Sequence, residues 1–300
     1  MKIVNFGPVR AERPGVFVPG KGIAPLDPLL RSLGRASLEM NEFLSLLDIL
    51  QPEVEEALKG EDVIWIDETS VRLGPPVSAP EKIIVAGGNY QSHVDEASGM
   101  KNAPSPTEPI ICLKPSNTAI GHRDSLVRPR NSEQFDYEVE IGVIIGRGGR
   151  DIPLERAYEH IAGYCISNDV TSRDLAFKEV HINPIFQQMM RAKGMPTGAP
   201  LGPWLVTKDE IPDPHDLQLR CWVNDELRQD GHSSEMIVDV PHLIEDFSRA
   251  MELSPGDVIM TGTTTGCGAF QNPPVYLVGG DVVRMEITGL GVMETPVLDG

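Results

Sequence analysis

The sequence predicts a strand-rich fold with a few short helices and a small amino-terminal unit. Aromatic residues make up only 5% of the 300-residue chain, while Gly (29) and Pro (26) abound, a balance that suits strands and loops better than a helical bundle. Short β-branched runs bounded by glycine or proline recur along the chain. Gly74-Pro75-Pro76 and Pro80 form a stiff connection that sets a small domain, residues 1–76, apart from a large one, residues 77–300.

In chain order, Ile3 to Phe6 and Val16 to Val18 read as strands, and Leu38, Phe43, Leu44, Leu46, Leu47 and Leu50 mark a helix. Pro52 is expected to open a second helix that Gly60 closes, and Val63 to Ile66 returns to strand. Lys82 to Ala86 is a strand running into Gly87-Gly88-Asn89-Tyr90, after which residues 91–98 suit a helical turn. Pro109 to Lys114 is a further strand, with Lys114 near its end, and Pro153 to His160 a short helix. Thr171 to Pro203 reads as a long loop with helical pieces, rich in Arg173, Lys178, Arg191 and Lys193. Leu217 to Val223, Asn224-Asp225 and Leu227 to Gln229 form a hairpin. Asp239 caps a helix with Pro241 in its first turn, Asp257 to Thr261 is a strand, and Asp281 to Ile287 is the closing strand.

Bulk charge narrows the function. A net charge of −18 repels nucleic acid and anionic membrane, so a small anionic substrate needs local cations. Cys112, Cys165, Cys221 and Cys267 form no C-x-x-C and read as reduced thiols. No window approaches a membrane span, and a cytoplasmic protein is expected.

The run Phe135 to Gly146 carries, beyond Asp136, two carboxylates, Glu138 and Glu140, where a buried strand should have none. Residues two apart on a strand share a face, so Glu138 and Glu140 point together with Cα atoms roughly 6.6 Å apart. The alternative is that both face solvent while Tyr137, Val139 and Ile141 face the core. Asp169, after the β-rich Ile161 to Asn168, offers a third carboxylate, and an all-oxygen set suits Mg²⁺ or Mn²⁺ better than zinc. His93 and Glu96, three apart on the helical turn, make an acid/base pair possible, although H-x-x-E is also common on exposed helices. Gly262-Thr263-Thr264-Thr265-Gly266-Cys267-Gly268 can offer hydroxyls and N–H groups to an oxyanion and lacks the ending of a P-loop; a plain turn is the alternative.

Gly88-Asn89-Tyr90 with His93 and Glu96, Asp136 to Glu140, Asn168 to Thr171 with Arg173-Asp174, Gly202-Pro203, Gly256-Asp257 and Thr261-Gly262-Thr263 together resemble the fumarylacetoacetate hydrolase family over roughly residues 80–295. The resemblance implies a β-rich α+β fold around a rolled mixed sheet, usually dimeric. It also implies Mg²⁺ or Mn²⁺ on Glu138, Glu140 and Asp169, with His93 and Glu96 activating water from a mobile lid. Lys193 then approaches the substrate as a third catalytic group, and Arg173 and Thr263 hold it. The implied reaction is hydrolytic C–C cleavage of an acylpyruvate-type 1,3-dicarbonyl acid to pyruvate and a carboxylic acid. Decarboxylation of an oxaloacetate-like acid and isomerisation of a dienoate use the same electron sink, and a non-catalytic metal-binding protein is the remaining hypothesis. Three departures bear on substrate: Ala176 stands where many members have glutamine, Gly194 to Thr197 replaces the usual serine and aspartate, and Thr264 replaces a common proline.

Overall fold

The computed structural model describes residues 1–300 and every side chain except that of Phe186. It is an α+β, β-rich fold dominated by two mixed sheets. The larger has ten strands, with Val139–Ile145 and Ile161–Asn168 near its middle; the smaller has five. Val258–Thr263 pairs antiparallel with Val139–Ile145 on one edge and parallel with Ile83–Gly87 on the other.

The central strand explains why carboxylates can sit in an apolar run. All seven residues of Val139–Ile145 are buried, because both faces of the sheet are covered. Val139, Ile141, Val143 and Ile145 enter one apolar core, and Ile144 enters the other. Period-two alternation then puts Glu140 on the Ile144 side, inside the protein. The solvent-facing alternative fails: Glu138 is 3% and Glu140 2% exposed.

Several local expectations change. Phe135 to Gly146 is not one strand: Phe135–Asp136 pairs with Thr171–Ser172, and Val139–Ile145 starts afresh in the large sheet. Pro52 lies inside the helix Leu47–Ala57, and the break falls at Leu46. Leu47, Leu50 and Val54 bury one face of that helix, and this burial outweighs the hydrogen bond that proline removes. Val63 to Ile66 forms no strand, only an isolated bridge from Ile66 to Ile23. Leu154–His160 is 3₁₀ rather than α. The chain closes on Gly291–Asp299, which pairs with Val282–Ile287, so that earlier strand is not the last.

The amino-terminal segment shares its sheet and core with the rest. Lys2–Phe6 pairs with Ala199–Thr207, and Met1 and Ile3 pack in one core with Ile144, Cys165 and Leu201. Among the described residues, no helix is long and apolar enough to cross a membrane.

Gly163 lets the central strands approach, since a Cβ there would meet the Val206 carbonyl oxygen at 2.1 Å. Gly163→Ala is expected to cost about 1–3 kcal/mol or more through overpacking, read as a lowered denaturant midpoint with unchanged slope.

Candidate active site

Strand pairing assembles the carboxylates. Ser167 lies opposite Glu140 and Asn168 opposite Val139, so the ends of two central strands meet. The Asp169 N–H donates to the Glu138 carbonyl (3.0 Å) and the Glu138 N–H to Asn168 Oδ1 (3.0 Å), which fixes the two acids side by side. From the other edge, the Gly262 N–H donates to Glu140 Oε2 at 2.8 Å. Gly262 has φ +97°, and a Cβ there would sit 2.9 Å from that of Asn89, so glycine is required on both counts.

Three cations answer these charges, Lys193 and Lys114 buried and Arg173 partly exposed. Lys193 Nζ donates to Glu138 Oε2 (3.2 Å), Thr171 Oγ1 (3.1 Å) and Asp169 Oδ2. Arg173 donates through Nη2 to Glu138 Oε1 (2.6 Å) and through Nε to Asp136 Oδ2 (2.9 Å). Lys114, 1% exposed, donates to the carbonyls of Val170 (2.9 Å) and Gly198 (2.8 Å). Its ammonium also lies 2.8 Å from Asp169 Oδ1, a pairing of charges without hydrogen-bond geometry, so that oxygen is buried with no hydrogen-bond partner.

The electrostatics split the carboxylates. Burial opposes the charge on Glu138, but Arg173, Lys193 and His93 outweigh it and hold its pKa well below the ordinary value. Glu140 is pushed the opposite way, first by burial and then by the charges of Asp169 and Glu138. Burial likewise opposes the charge on Lys193, yet Asp169 and Glu138 prevail and raise its pKa. Lys114 is lowered, burial being the larger effect.

These residues fit a hard divalent ion. Glu138, Glu140 and Asp169 each bring one oxygen, all within 4.8 Å of one another, with no nitrogen or sulfur in the set. The raised pKa of Glu140, driven by burial and by the charges of Asp169 and Glu138, marks a carboxylate that the neighbouring cations do not offset.

The acid/base pair faces this cluster. His93 Nδ1 is 2.9 Å from Glu96 Oε1, and His93 Nε2 is 4.0 Å from Glu138 Oε1. Glu96 Oε2 accepts from Thr265 Oγ1 (2.7 Å) and the Gly266 N–H (2.7 Å), which ties the helix Gln91–Ser98 to the glycine- and threonine-rich loop. Phe270 meets the His93 ring edge to face at 5.6 Å. Thr263 is less free than expected: its hydroxyl donates to the Val139 carbonyl and accepts from Gln229 Nε2, both at 2.9 Å.

The sequence did not single out three residues around the site. Lys114 was placed only near the end of a strand, and its burial has no local signal. Gln229 was assigned only to a hairpin, yet it also donates to the Thr264 carbonyl at 2.9 Å. Cys267, fully buried with its Sγ 3.8 Å from His93 Nδ1, was read as an ordinary thiol. Only its place beside the Gly-Thr loop could have singled it out.

The pKa of Glu140 yields a signed prediction. Below the ordinary glutamate range both folded and unfolded states hold the proton. Above it the unfolded chain ionises while the ion-free fold keeps its proton, so stability falls as pH rises towards the raised folded pKa. An ion in the cluster removes that penalty, so the gain in Tm between EDTA and MnCl₂ should grow with pH. The trend should flatten in Glu140→Gln, and thermal melts across a pH series check both.

Known proteins can be set beside this geometry. Residues 82–298 match the family described as fumarylacetoacetate (FAA) hydrolase C-terminal. The mitochondrial oxaloacetate tautomerase fahd2 of Xenopus laevis is 39% identical over 259 residues, 86% of this chain and 78% of that protein. Among solved structures, the fumarylacetoacetate hydrolase of Exiguobacterium antarcticum superposes with TM-score 0.80 at 33% identity and 100% coverage of both chains. The maleylpyruvate hydrolase of Sphingobium sp. SYK-6, in complex with manganese(II) and pyruvate, gives TM-score 0.80 at 30% identity, again covering 100% of both. The chain therefore belongs to the fumarylacetoacetate hydrolase family.

Proposed function

We propose that this protein is a divalent-metal-dependent hydrolase that cleaves the C–C bond of an acylpyruvate-type 1,3-dicarbonyl acid to pyruvate and a carboxylic acid. The observation that carries the reading is the aim of His93. Its Nδ1 is held by Glu96, and its Nε2 faces the three-carboxylate cluster at 4.0 Å from Glu138. The manganese and pyruvate bound by the Sphingobium hydrolase support the same ion and substrate class.

Mg²⁺ or Mn²⁺ on Glu138, Glu140 and Asp169 would supply Lewis acidity, polarising the 2-oxo group and stabilising enolate charge. The chain's own residues do the rest. His93 Nε2 takes a proton from water, while Glu96 fixes the imidazole tautomer and stabilises the imidazolium that forms. The hydroxide adds to the distal carbonyl, the C–C bond breaks, and its electron pair becomes a pyruvate enolate. His93 then returns the proton to that enolate. Lys193, kept charged by Asp169 and Glu138, offsets the developing negative charge. Arg173 has Nη1 outside its bonds to Asp136 and Glu138, and this nitrogen is the one available to a substrate carboxylate. Thr263 contributes by fixing the loop, its hydroxyl being engaged on both sides.

A second reading is keto–enol tautomerisation of a 2-oxo diacid such as oxaloacetate, favoured by the name of the 39% identical Xenopus relative. There the His93–Glu96 pair would move a proton at C3 instead of one on water. Decarboxylation or dienoate isomerisation would draw on the same site.

Both readings can be separated with a panel of acylpyruvates and oxaloacetate, with Mn²⁺ and with EDTA. The hydrolase releases pyruvate from an acylpyruvate, stops with EDTA, and loses about 10²–10⁴-fold in kcat in Glu96→Gln. Ketonisation of enol-oxaloacetate without acylpyruvate cleavage would replace this reading with the second. Lys193→Met should lower kcat more than it raises KM, since its charge acts on the enolate; an unchanged kcat would remove Lys193 from the reaction.

A further inference from the structure

We propose that His93, Glu96 and Cys267 form a second metal site of softer character beside the carboxylate cluster, which takes Zn²⁺ and thereby inhibits the enzyme. Binding itself is independent of the reaction assigned above, whereas inhibition rests on the role given there to His93 and Glu96.

The three ligand atoms lie within 4.8 Å of one another. Cys267 Sγ is 3.8 Å from His93 Nδ1, and Glu96 Oε1 is 2.9 Å from the same nitrogen. Zinc at about 2.0–2.1 Å from nitrogen or oxygen and about 2.3 Å from sulfur spaces tetrahedral ligand atoms about 3.3–3.7 Å apart. The thiol, at 3.8 Å, needs to close by a few tenths of an ångström, and the carboxylate, at 2.9 Å, to open by less than about 1 Å. Three protein ligands leave a fourth position for water, a common arrangement for zinc.

Donor chemistry separates the two sites. The nitrogen, oxygen and sulfur set suits zinc, whereas the all-oxygen set of Glu138, Glu140 and Asp169 suits Mg²⁺ or Mn²⁺. Cys267 has no part in the proposed reaction. Its remaining contacts are weak sulfur ones, to Gln229 Nε2 at 3.8 Å and the Thr264 carbonyl at 3.9 Å. On the solvent side, Glu96 and Thr265 line a surface cleft of about 370 Å³ with Ser92, Asp95 and Lys101, so the carboxylate ligand is reached from outside. Zinc on His93 Nδ1 and Glu96 would break the bond between them and withdraw the pair from proton transfer. Glu138 Oε1, 4.0 Å from both His93 Nε2 and Cys267 Sγ, lies where the sites adjoin, so an ion in one site weakens binding in the other.

The test uses the full-length Mn²⁺-loaded protein, titrated with Zn²⁺ for activity and with Co²⁺ for absorbance. Wild type should develop a thiolate-to-Co²⁺ charge-transfer band in the near ultraviolet and lose activity as Zn²⁺ is added. Cys267→Ser and Cys267→Ala should keep Mn²⁺-dependent turnover, lose the band, and need about 10-fold or more Zn²⁺ for the same inhibition. Absence of the band in wild type would overturn the site. Equal zinc inhibition in wild type and both variants would also overturn it, showing that zinc acts by displacing Mn²⁺ from the carboxylates. A thiolate band without loss of turnover would sink the inhibitory role and direct the fault to the function given to His93 and Glu96. The absorbance needs no substrate, so failure of the assigned reaction alone leaves the site fully testable.

Discussion

Everything near the centre of this molecule depends on burying more negative charge than the protein neutralises. Asp136, Glu138, Glu140 and Asp169 are at most 3% exposed, and the cations among them are Arg173, Lys193 and Lys114. A buried carboxylate without a partner costs several kcal/mol, so the cluster survives only through pairing, hydrogen bonding or a retained proton. All three devices occur. Glu138 is paired with Arg173 and Lys193, Asp136 accepts N–H bonds from Gly268 (2.8 Å) and Ala269 (3.0 Å), and Glu140 is driven towards its protonated form. The fourth negative charge is the one that the proposed divalent cation would answer.

That constraint explains the topology around the cluster. Carboxylates this close must be held by backbone, and the backbone comes from strands far apart in sequence: Val139–Ile145, Ile161–Asn168 and Val258–Thr263 lie side by side. The amino-terminal segment supports the arrangement from behind. Lys2–Phe6 pairs with Ala199–Thr207, which in turn pairs with Ile161–Asn168, the strand that leads into Asp169. The residues expected to depart from the family pattern are tied into the fold. Met195 Sδ accepts from Ser172 Oγ at 3.2 Å, Thr197 Oγ1 accepts from the Val127 N–H at 2.8 Å, and Ala176 is fully buried.

What the sequence disclosed follows the range of the interactions. Glu138, Glu140 and Asp169 were legible because acids inside β-branched runs violate the pattern of their own neighbours. His93 and Glu96 were legible because helical spacing is local. Lys114 was not, since its burial depends on Val170 and Gly198, which reach it only through the fold. Thr263 was placed in the loop after the strand, whereas it is the last residue of the strand Val258–Thr263, and its partners Gln229 and Val139 come from other strands, so the fate of its hydroxyl was invisible. Pro52 inside a helix is the same lesson in reverse: local rules place it at a helix start, and burial of Leu47, Leu50 and Val54 overrules them.

The acid/base pair rests on an element of a different kind. The helix Gln91–Ser98 buries none of its own residues, so no apolar core holds it down. Its attachments are polar. Gln91 Nε2 donates to the Ala103 carbonyl (3.0 Å), Asp95 accepts from the N–H groups of Asn102 and Ala103 (2.8 Å each), and Glu96 accepts from Thr265 and Gly266. The first three are contacts with the following loop and travel with the helix. Glu96 makes the shortest ties to the Gly-Thr loop beside the carboxylates, and Ser92 Oγ adds a longer one by accepting from the Thr265 N–H at 3.4 Å. A neutral hydrogen bond contributes about 1 kcal/mol and one to a charged group about 1.5–3 kcal/mol, so releasing Glu96 costs far less than disturbing the sheet. Glu96 both holds His93 Nδ1 and accepts from Thr265 and Gly266, so loosening the helix at that end would also strip the loop contacts from the group proposed to orient His93.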